Sequence, residues 1–291
     1  MNEPSLLIIG CGDLGERVGR SLLSRDWAID AVRRRPQTGK PAFRYHAADY
    51  AEPHSLDFAC ALRPRFSLAT FTPTTRDLDG YHRGFTAAAD NLLAGLGDHR
   101  VDRLIMVSST RVYAENAGGW VDESAPLSSV DDRAVAIAEA EQRLLNSEQP
   151  VTVVRCAGIY GNPAGHLVAR VADGRLTQAP PIRYTNRIHR DDAAGFLIHL
   201  LTRSSHGEPL SPVYNGADDE PAPAHEVEAW LAHAMGVSLS TAPDTTPADD
   251  ALGKRCSNAL LRASGYQLLY PDYRAGYRQV LDLEAENPGY S

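Results

Sequence analysis

The chain predicts an α/β fold: a doubly wound parallel Rossmann sheet with a smaller C-terminal lobe. Three observations point there. An apolar run breaks into a glycine-rich turn at the front of the chain, strand-like and helix-like stretches alternate through the first half, and the alternation loosens near Asn162. Strands that alternate with helical stretches build parallel sheets covered by helices on both faces. The reading places the Rossmann core at residues 1–160, and at 161–291 what is mostly a lobe, some of whose segments return to the core.

The first element, residues 6–9 (LLII), is apolar at every position, as a strand buried on both faces must be. It runs into G-x-G-x-x-G at Gly10, Gly12 and Gly15. The first glycine permits the tight turn, the second lets backbone approach a pyrophosphate, and the third lets the next helix pack closely on the strand. The helix amides that follow, from Asp13 and Leu14 onward, then face the phosphate. Helix-period residues (Leu14, Val18, Leu22, Leu23) and a second strand at 28–33 complete most of a βαβ unit within about 30 residues. Further strands are expected at 43–47, 67–71, 104–108 and 151–155. Helices are expected at 81–96 and 133–145, where apolar positions recur every three or four residues. Beyond Asn162 the sequence gives a basic loop (183–190), a helix (192–201), a strand (213–215) and a helix (224–235). A Pro/Thr/Asp-rich exposed loop (242–250) and a terminal helix (273–283) complete the chain. Open parallel sheets bind ligands at the carboxyl ends of their strands, so the lobe is expected to close there.

Composition narrows the function. With 291 residues, 43% hydrophobic and 23% charged, the chain can bury a substantial core, and no window approaches a membrane helix. A net charge of -8 disfavours a nucleic-acid or anionic-membrane surface. The start of the chain lacks the basic and apolar regions of a signal peptide, so a cytoplasmic location is expected. Cys11, Cys60, Cys156 and Cys256 lie far apart without metal-type spacing, as suits a reducing compartment and no metal site. The expected partner is a small-molecule substrate, with a homodimer as an option. Basic residues are almost all arginine, Lys40 and Lys254 being the only lysines.

Charge at the end of the second strand bears on cofactor choice. An acid there holds a ribose 2′-hydroxyl, whereas arginine accommodates a 2′-phosphate. This chain has Arg33, Arg34 and Arg35, and its nearby acid, Asp30, falls inside the strand. NADP is therefore expected over NAD; a merely solvated arginine cluster is the alternative.

Four further segments carry a family resemblance: SSTRVYAE at 108–115, VDESAP at 121–126, VVRCAGIYG at 153–161 and NRIHRDDAA at 186–194. With the glycine motif they resemble, nearly end to end, the extended branch of the short-chain dehydrogenase/reductases, the branch of nucleotide-sugar epimerases and dehydratases. The pattern is most similar to its atypical YeeZ-like subgroup. The resemblance implies cofactor contacts from Gly10, Gly12, Asp13, Leu14, Gly15, Arg33 and Arg34. It also implies contacts from Asp49 near the adenine, from Phe71 and Thr72 after the fourth strand, and from Ser108, Cys156, Gly158 and Ile159 at the later strand ends.

One departure limits what carries over. The family's Tyr-x-x-x-Lys pair, on the helix after strand five, lets a phenol exchange a proton while hydride moves. Aligned through Glu141, this chain has Arg133 at the tyrosine position and Ile137 at the lysine position, and neither can do that work. Ser109 matches the family's hydroxyl that bonds a substrate oxygen, with a strand-end cap as the alternative. Tyr113 and Tyr160 follow strand-end signatures and could supply a phenol or simply pack. His189 titrates near neutral pH and could act as acid or base, or hold a loop carbonyl. Asn186 and Arg187 suit an anionic or hydroxylated ligand, as they also suit a polar surface loop. The expected function is an NADP-dependent oxidoreductase or epimerase-like enzyme acting on a small polar substrate. The alternative is an NADP(H)-binding sensor that has lost turnover.

Overall fold

The computed structural model describes residues 3–36, 43–177, 180–237 and 251–282. Expectations for the 242–250 loop, for Lys40 and for residue 283 lie outside these. In chain order the strands are β1 (Ser5–Ile9), β2 (Ala28–Arg33), β3 (Arg44–Ala47), β4 (Phe66–Ala69), β5 (Arg103–Ser109), β6 (Ala117–Val121) and β7 (Val151–Cys156). They continue with β8 (Gly158–Tyr160), β9 (Ile182–Thr185), β10 (Arg187–His189), β11 (Val213–Gly216), β12 (Ala222–Pro223) and β13 (Ala251–Cys256). The chain forms two compact units.

The first unit comprises Met1–Ala114, Ala125–Cys156 and Ala193–Gly216. Its seven strands pair in the order β11-β7-β5-β4-β1-β2-β3, all in parallel. Every residue of β4 and β7 is buried, and both strands are mostly apolar, with Ser67, Thr152 and Arg155 as buried polar exceptions. The sheet turns outward from β1 in both directions, so the ends of β1 and β4 flank the reversal of strand order where such sheets hold ligands. Helices Asp13–Leu23 and Asp132–Leu145 are close to their expected spans. The helix expected at 81–96 begins earlier, at Leu78, because Asp77 caps it by accepting from the Gly80 amide. It also carries a π-helical turn, His82–Ala87, before continuing as Ala88–Leu96. Strand β4 stops at Ala69 rather than 71. The Thr70 hydroxyl donates to the Gly10 carbonyl (2.6 Å), and Phe71 turns inward to pack on Tyr50, with ring centroids 5.4 Å apart.

The second unit comprises Glu115–Ser124, Ala157–Asp192 and Ala217–Ser291, so the two units interleave along the chain. It holds a four-stranded sheet, β12-β9-β13-β6, and the parallel pair β10-β8. The basic loop expected at 183–190 is in fact β9, β10 and the start of the helix Arg190–Ser205. Strands this short and arginine-rich carry no apolar alternation to reveal them. Asn186 is a structural bridge: its Nδ2 donates to the Lys254 carbonyl (2.9 Å) and its Oδ1 accepts from the Cys256 amide (2.7 Å). Helices Ala224–Ala234 and Tyr273–Val280 close the unit over a core of Val171, Val227, Leu231, Tyr273 and Tyr277. Among the described residues no helix is long and apolar enough to cross a membrane.

Candidate dinucleotide site

The glycine turn assigns a separate task to each glycine. Gly10 adopts φ +81°, and a Cβ there would sit 2.8 Å from the Thr70 carbonyl. At Gly15 a Cβ would meet Ile8 Cγ2 at 2.9 Å, so the absent side chain sets how closely helix and strand pack. At Gly12 the space is open: the nearest atom to a Cβ is the Gly10 carbonyl, 3.8 Å away. The turn is tied to β2 by the Gly10 and Cys11 amides, both donating to the Val32 carbonyl. Gly12 begins the helix Asp13–Leu23 without any side-chain cap. The first amides of a helix have no partner within it, and with the helix dipole they favour an anion.

Beside this turn lies a cleft of about 450 Å³, lined by Gly10, Cys11, Gly12, Arg33, Arg34, Arg35, Tyr50 and Thr72. None of these lining residues is acidic. Asp30 is buried in β2, bonded to Arg44 and to His46 Nε2 (2.6 Å). Burial alone would raise its carboxyl pKa, but the hydrogen bonds from Arg44 and His46 hold it below the ordinary range. Asp49 accepts from the Ala51 amide (3.1 Å) and stands 3.9 Å from Arg34 Nη1, so one arginine is already steered at the cleft's edge. Burial pushes the Cys11 thiol up to about 11, leaving it inert in the turn. Asp13 is exposed and pairs with Arg17 (3.0 Å), and Leu14 is half-buried. Of the residues expected after β4, Thr72 reaches the cleft and Phe71 is buried beside it. Arg35 joins Arg33 and Arg34 in the lining, whereas Tyr50 and Cys11 were not among the expected contacts. Tyr50 had only its place after Asp49 to announce it.

The geometry is that of a dinucleotide fold, and a family model described as NAD(P)H-binding matches residues 10–204. The chain belongs to this NAD(P)H-binding family. Protein YeeZ of Escherichia coli K12 is 28% identical over 91% of this chain and 96% of its own length. A solved structure from Methylobacillus flagellatus, provisionally named an NAD-dependent epimerase/dehydratase, is 31% identical, with a TM-score of 0.83 over 97% of this chain and 98% of that one. The UDP-glucose 4-epimerase of Thermotoga maritima, solved with UDP-glucose, shares the fold at 14% identity, with a TM-score of 0.76 over 96% of this chain and 97% of that one. The membership and these likenesses agree with the extended, atypical short-chain dehydrogenase/reductase resemblance, and the cofactor class is a nicotinamide dinucleotide.

The later strand ends of the first unit hold a buried polar network. Glu141 is fully buried on the helix Asp132–Leu145, bonded to Ser108 and paired with Arg155 at 2.7 Å. Arg155 lies 5.0 Å from the ring of Tyr113, whose hydroxyl donates to Asn215 Oδ1 (2.6 Å). Ser108 and Tyr113 are both buried, and Cys156 ends β7 with its thiol pushed up to about 12 by burial. Ser109 caps the short turn Thr110–Val112, accepting from the Arg111 amide (3.1 Å). As an acceptor there, its hydroxyl keeps a proton to donate. One helical turn before Glu141, Ile137 is buried, and Arg133 lies 5.6 Å from the ring of Tyr81.

The remaining candidates belong to the second unit. Gly158 and Ile159 are exposed on β8. Tyr160 packs on Tyr277 (4.6 Å between centroids) and edge-on to His189 (5.2 Å), and its hydroxyl is close against Gly276. Burial raises the Tyr160 phenol well above its ordinary pKa. His189 is fully buried and packs at a tilt against Tyr270, with ring centroids 4.1 Å apart, and its Nδ1 accepts from the Asp191 amide (3.3 Å). Arg187 is buried over Tyr273 and donates to Thr185 (2.6 Å). Among the described residues, no group of three or more His, Cys, Asp or Glu could hold a metal ion.

Proposed function

We propose that the protein binds NADP(H) in preference to NAD(H) and is an oxidoreductase or epimerase-type enzyme for a small polar substrate. One observation carries the cofactor preference: the cleft beside the glycine turn is lined by three consecutive arginines and by no acid. A 2′-phosphate needs cationic donors where a 2′-hydroxyl needs a carboxylate. In this reading Gly10, Gly12, Asp13, Leu14 and Gly15 take the pyrophosphate through backbone, Arg33 and Arg34 take the 2′-phosphate, and Asp49 meets the adenine. Thr72 borders the ribose, with Phe71 as its buried support, and Ser108 and Cys156 form the nicotinamide side through backbone. Calorimetry checks the preference: NADPH should bind at least tenfold more tightly than NADH, and Arg33→Ala and Arg34→Ala should each remove most of that ratio. Equal affinities in the unsubstituted protein would refute it.

Any proton transfer in this reading is carried by Ser109, whose hydroxyl retains a proton beyond its capping bond, ahead of Tyr113, Tyr160 and His189. A second reading, a cofactor-binding sensor without turnover, is favoured by a specific observation. Tyr113, Tyr160 and His189 are all packed into internal contacts. NADPH oxidation in the presence of a panel of aldehydes, ketones and sugar nucleotides separates the two. A rate that falls about a hundredfold in Ser109→Ala supports the enzyme. Tight NADPH binding with no turnover across the panel supports the sensor.

A further inference from the structure

The π-helical turn His82–Ala87 lies behind the loop that follows β4, and its glycine, like the one in the turn before it, is placed where no side chain fits. A Cβ on Gly84 would stand 2.2 Å from the Thr72 carbonyl oxygen and 2.7 Å from Pro73 Cα. One turn earlier, a Cβ on Gly80 would stand 2.2 to 2.5 Å from the hydroxyl, carbonyl and amide of Thr75. The Thr74 amide donates to the Gly80 carbonyl at 3.0 Å. The helix backbone therefore touches the loop backbone directly, without intervening side chains. Turns of this kind are rare and tend to mark functional positions.

On its other flank the same loop is held by Tyr50. The Thr72 amide donates to the Tyr50 hydroxyl (3.1 Å), and that hydroxyl stands 3.2 Å from Thr72 Oγ1 and 3.3 Å from the Thr72 carbonyl. Tyr50 is fixed in turn. Its ring packs on Phe71, its carbonyl accepts from Asn91 Nδ2 (3.0 Å), and its Cε1 is 3.1 Å from where a Gly10 Cβ would be. Thr72 thus sits between a glycine surface and a phenol, and Thr72 and Tyr50 both line the cleft.

We infer that Gly84 and Tyr50 are positioning residues that clamp Thr72 from two sides and so set the width of the dinucleotide cleft. The inference rests on the cleft being the cofactor site. Gly84 lies outside the cleft lining and acts only through the loop. Tyr50→Phe keeps the ring and removes the hydroxyl that holds the Thr72 amide. Gly84→Ala inserts a methyl group that must displace the Thr72 carbonyl.

The test is a double-mutant cycle on NADPH affinity, with thermal midpoints measured alongside. Each single substitution should weaken NADPH about tenfold or more, and the double variant should lose less than the product of the two. Coupling between residues that act through one shared loop has that signature, whereas independent structural roles multiply. If Gly84→Ala fails to fold, Tyr50→Phe compared with Thr72→Ala supplies the second cycle. Hydrogen exchange at the Thr72, Thr74 and Thr75 amides should also quicken in Tyr50→Phe while the thermal midpoint holds. Unchanged NADPH affinity in the variants, or strictly multiplicative losses, would overturn the clamp and leave the cofactor assignment standing. Absence of NADPH and NADH binding in the unsubstituted protein would overturn both.

Discussion

The cleft beside the glycine turn and the aromatic cluster around His189 are built on opposite principles. In the cleft, backbone and arginine groups border open space: Gly12 has room where a side chain would be, and three guanidinium-bearing residues line one cavity. In the cluster, Tyr160, Tyr270, Tyr277 and His189 fill each other's space, and the His189 Nδ1 is occupied by a backbone amide. Binding needs unoccupied volume next to oriented donors, and only the first region offers both. The cluster's residue types suit acid–base chemistry, yet their contacts are those of a core. Residue type alone cannot separate the two cases.

The comparison breaks most readily at Gly12. Gly12→Val puts two methyl groups into the space above the helix N-terminus, and NADPH affinity should fall a thousandfold or more, about 4 kcal/mol. Normal binding by that variant, measured by calorimetry, would mean the anion site lies elsewhere. The buried pair Glu141–Arg155 is the next largest effect, on stability rather than binding. Glu141→Gln leaves a buried guanidinium without its counter-charge and should cost roughly 3–5 kcal/mol in urea unfolding.

Asp218 sharpens the contrast in the second unit through pH. Burial raises its carboxyl from 3.8 to about 8, with Arg187 opposing the rise. The folded state then keeps a proton that the unfolded chain releases near pH 4. Its stabilising contribution is therefore full below that pH and is lost as pH rises toward and through 8. Asp218→Asn should flatten the decline in unfolding midpoint between pH 4 and 8. An unchanged slope would show that other groups set it. The smallest effect is expected at Tyr160→Phe, whose lost hydroxyl bond to the Asp272 carbonyl is a long 3.5 Å. Stability should change by less than about 1 kcal/mol, and any turnover by less than about threefold. A collapse of turnover would move the chemistry into the cluster and reverse the comparison.

Much of the first unit was legible because its central strands are buried on both faces and are therefore mostly apolar. The strands expected at 28–33 and 151–155 differ from β2 and β7 by at most one residue. In the second unit the helices expected at 224–235 and 273–283 were legible, but its strands were not, since β6, β8, β9 and β10 are short and their pairing partners lie far away in the chain. The same division holds within the site. Gly10, Gly12, Arg33 and Arg34 were visible from spacing, because a phosphate turn imposes its geometry on consecutive residues. Tyr50 and Gly84 were not, because each matters only through Thr72, which is 22 residues from one and 12 from the other.

By itself the sequence determined the parallel sheet, the glycine turn and the arginines at the end of β2, all of which rest on local pattern. Tertiary structure alone decided that Tyr113, Tyr160 and His189 are packed, that Asp30 is bonded to Arg44 and His46, and that a π-helical turn backs the cleft. Those outcomes depend on which distant groups fill the space around a side chain, and that is fixed only when the chain has folded.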